Sequence, residues 1–210
     1  MTTFFYLHGW ASSPQSSKAQ FFKQCFEQRG LSLQIPDLNP NDFYHFSLTQ
    51  QIQQVEALLP NSPVTIIGSS FGGLIALWLA ERLPQIQSIV LLAPALNFLN
   101  HCRILMGESN FAQWRRQGEF AFTNYAEPGE RLISYGFIED LQQYVDADLQ
   151  RRVPSLILHG NQDMVVPIQT SRDFAATRPW IKLVEFDSDH RLINVQAQLW
   201  QAIQASESKL

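Results

Sequence analysis

The chain's 210 residues can bury roughly 70% of the surface they expose when unfolded, enough for a single cooperative domain over 1–210. A composition that is 45% hydrophobic and 16% charged, with 15 Phe and 5 Trp, excludes disorder except at the ends. The net charge of −4, with no lysine-rich run, leaves no basic footprint for nucleic acid.

Six short β-branched or aromatic runs, each bounded by Gly, Pro, Asn or Asp, read as strands: Thr3–Leu7, Leu31–Ile35, Val64–Ile67, Ser88–Leu92, Ser155–Leu158 and Ile181–Phe186. Several are apolar on both faces, as parallel strands between two helical layers are. After the first strand, Ala19, Phe22 and Phe26 form a helical stripe that Gly30 stops. Leu48, Ile52, Val55 and Leu59 form a second stripe, and Ser47 with Gln50 fits a capping box at its start. Phe71 to Leu83 is apolar nearly all round, which implies a central, fully buried helix.

Between Pro94 and Pro154 about sixty residues separate consecutive strands, where a crossover needs a dozen or more. We read 95–153 as a cap inserted near the carboxyl edge of the sheet. Phe120 and Phe122, a Pro128-Gly129 turn and a return over Leu132–Phe137 suggest a hairpin there, and Ile138, Leu141, Val145 and Leu149 suggest a helix. Phe111, Trp114, Phe120, Phe122 and Tyr125 are candidate pocket linings or, equally, the cap's own core. Arg115 and Arg116 read as a solvated charge pair, with attraction of an anionic head group as the alternative. The last helix carries Leu192, Val195, Leu199 and Ile203 on one side, and Ser206–Leu210 is expected to fray.

Cys25 and Cys102 follow no metal-ligand spacing, so reduced thiols are expected and no metal site. The N-terminal apolar run, Phe4 to Leu7, is too short for a secretion signal. The longest apolar run, Leu74 to Ala80, falls well below the roughly 20 residues that cross a bilayer. A soluble cytoplasmic protein with no membrane partner is expected.

The densest chemical signal is Gly68-Ser69-Ser70-Phe71-Gly72-Gly73, which is G-x-S-x-G set between a strand and a buried helix. The bland alternative is a Gly/Ser-rich turn. In that setting the turn strains the backbone at Ser70 and presents its hydroxyl at the sheet edge. A hydroxyl attacks carbonyls only when a base takes its proton and a third group orients the base. Asp163 lies just beyond the fifth predicted strand and His190 just beyond the sixth, at the start of the final helix. In a parallel sheet both loops share an edge with Ser70. Asp163 has the alternative of capping the following turn, and His190 of being a helix-start residue. Asp187 and Asp189 are expected to cap the last helix.

His8 and His159 read as loop struts, and His45 and His101 have no partner pattern. Oxyanion donors are expected from the backbone N–H of Phe71 and of Trp10, although Trp10 also reads as a core aromatic.

These motifs, with His8-Gly9, His159-Gly160-Asn161-Gln162-Asp163 and Ser188-Asp189-His190, resemble the α/β-hydrolase superfamily over nearly the whole chain. More narrowly, Tyr6-Leu7-His8-Gly9-Trp10-Ala11-Ser12-Ser13-Pro14 and Ser188-Asp189-His190-Arg191-Leu192 are similar to the small bacterial YqiA-type esterases. The resemblance implies a Ser70–Asp163–His190 triad and hydrolysis of small-molecule carboxylic esters, with acyl thioesters such as acyl-CoA a further substrate class. Peptidase and C–C bond hydrolase chemistry on the same triad, or a non-catalytic ligand-binding homologue, are the alternatives. No cofactor is expected. The fold expected is a three-layer α/β sandwich. Because Thr3 already begins the strand leading to the oxyanion loop, its sheet is shortened to six parallel strands in the order 2-1-3-4-5-6.

Overall fold

The computed structural model describes residues 2–39, 42–123 and 130–207. Its main sheet comprises β1 (Thr3–Leu7), β2 (Leu33–Gln34), β3 (Val64–Ser69), β4 (Ile86–Leu92), β7 (Ser155–Gly160) and β8 (Ile181–Phe186), in the order β2-β1-β3-β4-β7-β8. All five pairings are parallel. This is the expected six-stranded order, because right-handed crossovers allow few others once the strand–helix alternation is set.

Alternating side chains of the strands supply two cores. Phe5, Leu7, Ile66, Ile89, Leu91 and Ile157 face one side, where α2 (Leu48–Glu56) and α3 (Phe71–Arg82) pack. Tyr6, Ile67, Val90, Leu92, Leu156 and Leu158 face the other, covered by α1 (Ser17–Glu27) and α8 (Gln196–Glu207). Ser47 caps α2 by accepting from the Gln50 amide at 3.1 Å, as its position suggested. α3 is buried from Phe71 to Ala80, so burial on all sides accounts for its lack of an amphipathic stripe.

Between β4 and β7 lie α4 (Phe98–Met106), α5 (Glu108–Gln117), the antiparallel pair β5 (Glu119–Thr123) and β6 (Glu130–Ser134), and α6 (Gly136–Leu141). The hairpin matches expectation, with its Pro128-Gly129 turn and Tyr125 outside the described residues. The helix expected through Leu149 instead ends at Leu141 and yields to a single 3-10 turn, Asp146–Asp148. There the Asp146 carboxylate accepts the Asn97 amide at 2.6 Å, drawing the chain out of register with a continuing helix.

α7 (Ile168–Ala176) connects β7 to β8. The final helix begins later than its apolar pattern suggested: Leu192 has φ +55° and is followed by a 3-10 turn, Ile193–Val195. Expected fraying at Ser206 does not occur, since Ser206 is buried in α8 and donates to the Ile203 carbonyl; 208–210 lie outside the described residues. No helix among the described residues is long and apolar enough to cross a membrane.

Candidate active site

β3 ends by turning sharply into α3, and Ser70 occupies the turn with φ 53° and ψ −118°, a conformation that L side chains rarely adopt. The Ser70 amide donates to the Leu92 carbonyl at 2.9 Å, and the amides of Gly73 and Ala95 reach the Ser70 carbonyl. Gly72 then passes so close to the Leu7 and His8 carbonyls that a Cβ there would overlap them. The elbow is thereby pressed against the end of β1.

His190 and Asp163 arrive from the ends of β8 and β7. His190 Nε2 lies 3.0 Å from Ser70 Oγ, and His190 Nδ1 lies 2.7 Å from Asp163 Oδ2. A carboxylate can only accept, so Nδ1 carries the imidazole proton and Nε2 is left to accept from the serine hydroxyl. Three loops distant along the chain therefore meet in one hydrogen-bonded line.

Two further contacts hold that line. The β7 and β8 loops are tied by the Asn161 amide donating to the Phe186 carbonyl at 2.8 Å and the Gln162 amide to the Ser188 carbonyl at 3.0 Å. Such closeness requires Gly160, because a Cβ at that position would lie 2.6 Å from the Asp189 carbonyl oxygen. On the far side of His190, Asp189 Oδ1 accepts from the amides of Arg191 and Leu192, and the fully buried Leu192 side chain anchors the loop in the core. Asp189 thus caps the turn before α8. Asp187, expected to cap the helix too, instead accepts from Gln162 Nε2 at 2.5 Å and braces the two loops.

Asp163 satisfies both of its readings, since a carboxylate has two oxygens. Oδ1 caps the following turn, accepting from the amides of Val165 and Val166 at 2.8 Å each, while Oδ2 faces His190. The side chain is fully buried. Burial pushes its carboxyl up, but the hydrogen bonds from His159 and His190 and the Val166 amide outweigh that and hold it well below the usual carboxylate range.

His159 is the residue whose part the sequence did not disclose. It is fully buried, with Nε2 3.0 Å from Asp163 Oδ2 and 2.9 Å from the Val166 carbonyl, and Nδ1 2.7 Å from Ser171 Oγ. Both partners of Nε2 are acceptors, so Nε2 bears the proton and Ser171 donates to Nδ1. The Asp163 carboxylate therefore receives two imidazole N–H groups and two amides. Only the spacing of His159 from Asp163 hinted at this, and that spacing acquires meaning once the loop folds back on the strand.

His8 acts as the strut expected of it: Nδ1 donates to the Gly9 carbonyl at 2.9 Å and Nε2 accepts from the Leu38 amide at 2.9 Å. Burial lowers its pKa, which suits the neutral ring these bonds require. The loop so fixed brings Gly9 against the elbow, where an added Cβ would lie 3.3 Å from Ser70 Cβ. Trp10 follows directly. Its ring is held between Phe43 and Phe137, with centroids 6.2 and 6.0 Å away and interplanar angles of 14° and 18°. Its backbone amide is separate from that packing, and Phe71, at the first position of α3, has an amide with no intrahelical acceptor.

A cavity of about 480 Å³ opens at Ser70 and His190, bounded by Trp10, Ser69 and the start of α1. Of the candidate linings in the cap, Phe111, Trp114, Phe120 and Phe122 do not border it, and Tyr125 lies outside the described residues. Trp114 is fully buried against Phe111, Phe120 and Phe122, with Nε1 donating to the Ile133 carbonyl, and Phe122 packs edge-on to Trp10. Those rings are core. Arg115 and Arg116 are exposed on α5. Among the described residues, no group of three or more His, Cys, Asp or Glu side chains is disposed to hold a metal.

The same fold recurs in solved structures. A protein from Agrobacterium vitis S4 superimposes with a TM-score of 0.81 at 23% identity, covering 97% of this chain and 87% of its own. The mouse alpha/beta hydrolase domain-containing protein 10 gives 0.80 at 19% identity, covering 99% and 90%. A pyrethroid hydrolase from Sphingobium faniae JZ-2 gives 0.67 at 17% identity, covering 98% and 97%. The fold is that of the α/β hydrolases, and the family model described as "Uncharacterised protein family (UPF0227)" matches residues 3–207, so the chain belongs to that family.

Proposed function

We propose that this protein is a serine hydrolase that cleaves carboxylic esters of small molecules through an acyl-enzyme. The observation that carries the reading is the alignment of Asp163, His190 and Ser70 at 2.7 and 3.0 Å in the tautomer a general base needs. The hydrolase named among its structural neighbours supports it.

Ser70 Oγ attacks the ester carbonyl carbon while His190 Nε2 takes the hydroxyl proton, and the Asp163 carboxylate stabilises the imidazolium that results. The carbonyl oxygen becomes an oxyanion, held by the amides of Phe71 and Trp10. Collapse breaks the carbon–oxygen bond to the leaving alcohol, which receives the proton from His190. Water then attacks the acyl-serine with His190 again as base, releasing the acid and restoring Ser70.

The test is fluorophosphonate labelling together with turnover of 4-nitrophenyl butyrate and of butyryl-CoA. The wild type is expected to label and to hydrolyse the ester, and Ser70→Ala to do neither. Wild-type protein that never labels, or labelling that survives Ser70→Ala, would favour a binding module, and turnover of the thioester alone would replace esters by acyl thioesters as the substrate.

A further inference from the structure

Besides Ser70 and His190, the cavity is bordered by the start of α1 and by the turn after His190, and these contribute Lys18 and Arg191. Among the described residues none that lines it is acidic, and the lining includes the hydroxyls of Ser12, Ser13, Ser16 and Ser17. Among the described residues neither cation forms a side-chain hydrogen bond or an ion pair within 4.0 Å. Lys18 is partly buried and Arg191 exposed.

Asp163 and Asp189, the acids near Lys18, make their hydrogen bonds elsewhere. Asp163 spends one oxygen on His190 and His159 and the other on two amides, while Asp189 Oδ1 accepts from the amides of Arg191 and Leu192. Burial pushes the Lys18 ammonium down to about 8, Asp163 and Asp189 raise it in part, and Arg191 is near enough to lower it further. An ammonium in this condition gains from any anion that enters the cavity. The first turn of α1, which no side chain caps, adds unpaired amides on the same side.

We infer that Lys18 and Arg191 form an anion subsite, so that the preferred substrate is an ester carrying a carboxylate or phosphate within reach of these two cations. This deepens the serine-hydrolase reading and rests on it for the word substrate, though not for the binding itself. A neutral ester offers neither cation a counter-ion. An anionic one gains charge-assisted hydrogen bonds there, about tenfold or more in affinity or kcat/KM.

The experiment pairs mono-4-nitrophenyl glutarate with its uncharged methyl ester, for wild type, Lys18→Met and Arg191→Gln. The wild type is expected to favour the charged ester by about tenfold in kcat/KM, with the ratio falling towards one in both variants. Because Arg191 is exposed, its variant keeps the test available should Lys18→Met misfold. In parallel, N-phenylglutaramic acid and its methyl ester are titrated calorimetrically into Ser70→Ala, which reads the subsite without turnover. Equal kinetics for the two esters together with equal binding of the two amides overturn the subsite, as does a preference that survives both substitutions. Tighter binding of the free acid with no hydrolysis of either ester by the wild type overturns the hydrolase reading and sustains the subsite. A phosphate monoester analogue in the same titration distinguishes phosphate from carboxylate as the favoured anion.

Discussion

Gly160→Ala puts the proposed geometry at risk without touching any reacting group. The added methyl would sit 2.6 Å from the Asp189 carbonyl oxygen and closer still to that of Ser188, where ordinary contact begins near 3.4 Å. The loop bearing His190 must therefore retreat by roughly 0.8 Å or more, since β7 is buried and hydrogen-bonded on both sides. Such a retreat stretches the 3.0 Å contact between His190 and Ser70 to about 3.8 Å, beyond hydrogen-bonding reach. Displacements near 1 Å cost about 100-fold in rate, and overpacking of this kind costs about 1–3 kcal/mol of stability. The assay is kcat and KM on 4-nitrophenyl butyrate with the melting temperature measured on the same sample. We expect kcat to fall about 100-fold in protein that remains folded at the assay temperature. A folded variant within twofold of wild type would refute the claim that this glycine sets the position of the base.

The remaining predictions concern buried ionisable groups and thiols. His159→Leu removes one of the two imidazole donors to Asp163 Oδ2 and takes the buried partner of the Ser171 hydroxyl away, so we expect a loss of about 2–3 kcal/mol, read as a melting temperature lower by about 5–10 °C. His159→Gln, which retains a donor, should recover part of it. The depressed Asp163 carboxyl contributes stability that is fully present above the unfolded value of about 4 and is lost as pH falls through the lower folded value. Urea titrations from pH 6 to pH 2 should therefore show a steeper acid-side decline in wild type than in Asp163→Asn, and parallel curves would exclude that linkage. Burial pushes Cys102 up to about 11 and raises Cys25, so neither should react appreciably with iodoacetamide at pH 8 until urea is added; rapid alkylation of the native protein would contradict the burial.

The sheet was readable because each of its strands is short, apolar and punctuated, and because handedness then leaves little freedom in strand order. The elbow was readable for a related reason: Gly68, Ser70 and Gly72 are demanded by a local turn, and local demands leave local traces. The segment between β4 and β7 behaved differently. α4 and α5 leave no clear trace in the sequence because their apolar positions are organised by distant rings, Phe98 against Phe71 and Trp114 against Phe137, which no short window contains. Ile138, Leu141, Val145 and Leu149 have helical spacing, yet Val145 is 52% exposed because Asp146 finds a better partner in the Asn97 amide than a helix would offer.

Asp163 shows why competing readings of one residue need not exclude each other. Loop capping and base orientation are alternatives when only the sequence is in view, but they use different oxygens of the same carboxylate. The cap is what makes the second task feasible. Two amides fix the plane of the group through Oδ1, and His159 donates to Oδ2, so the remaining lone pair of Oδ2 has one direction left to point. His190 lies along it. A carboxylate without the cap would have to be ordered afresh by the imidazole alone, at an entropic cost borne in every catalytic cycle. A short, exposed-looking sequence feature, Asp before an apolar turn, is thus part of the reason a buried carboxylate can hold a base in line.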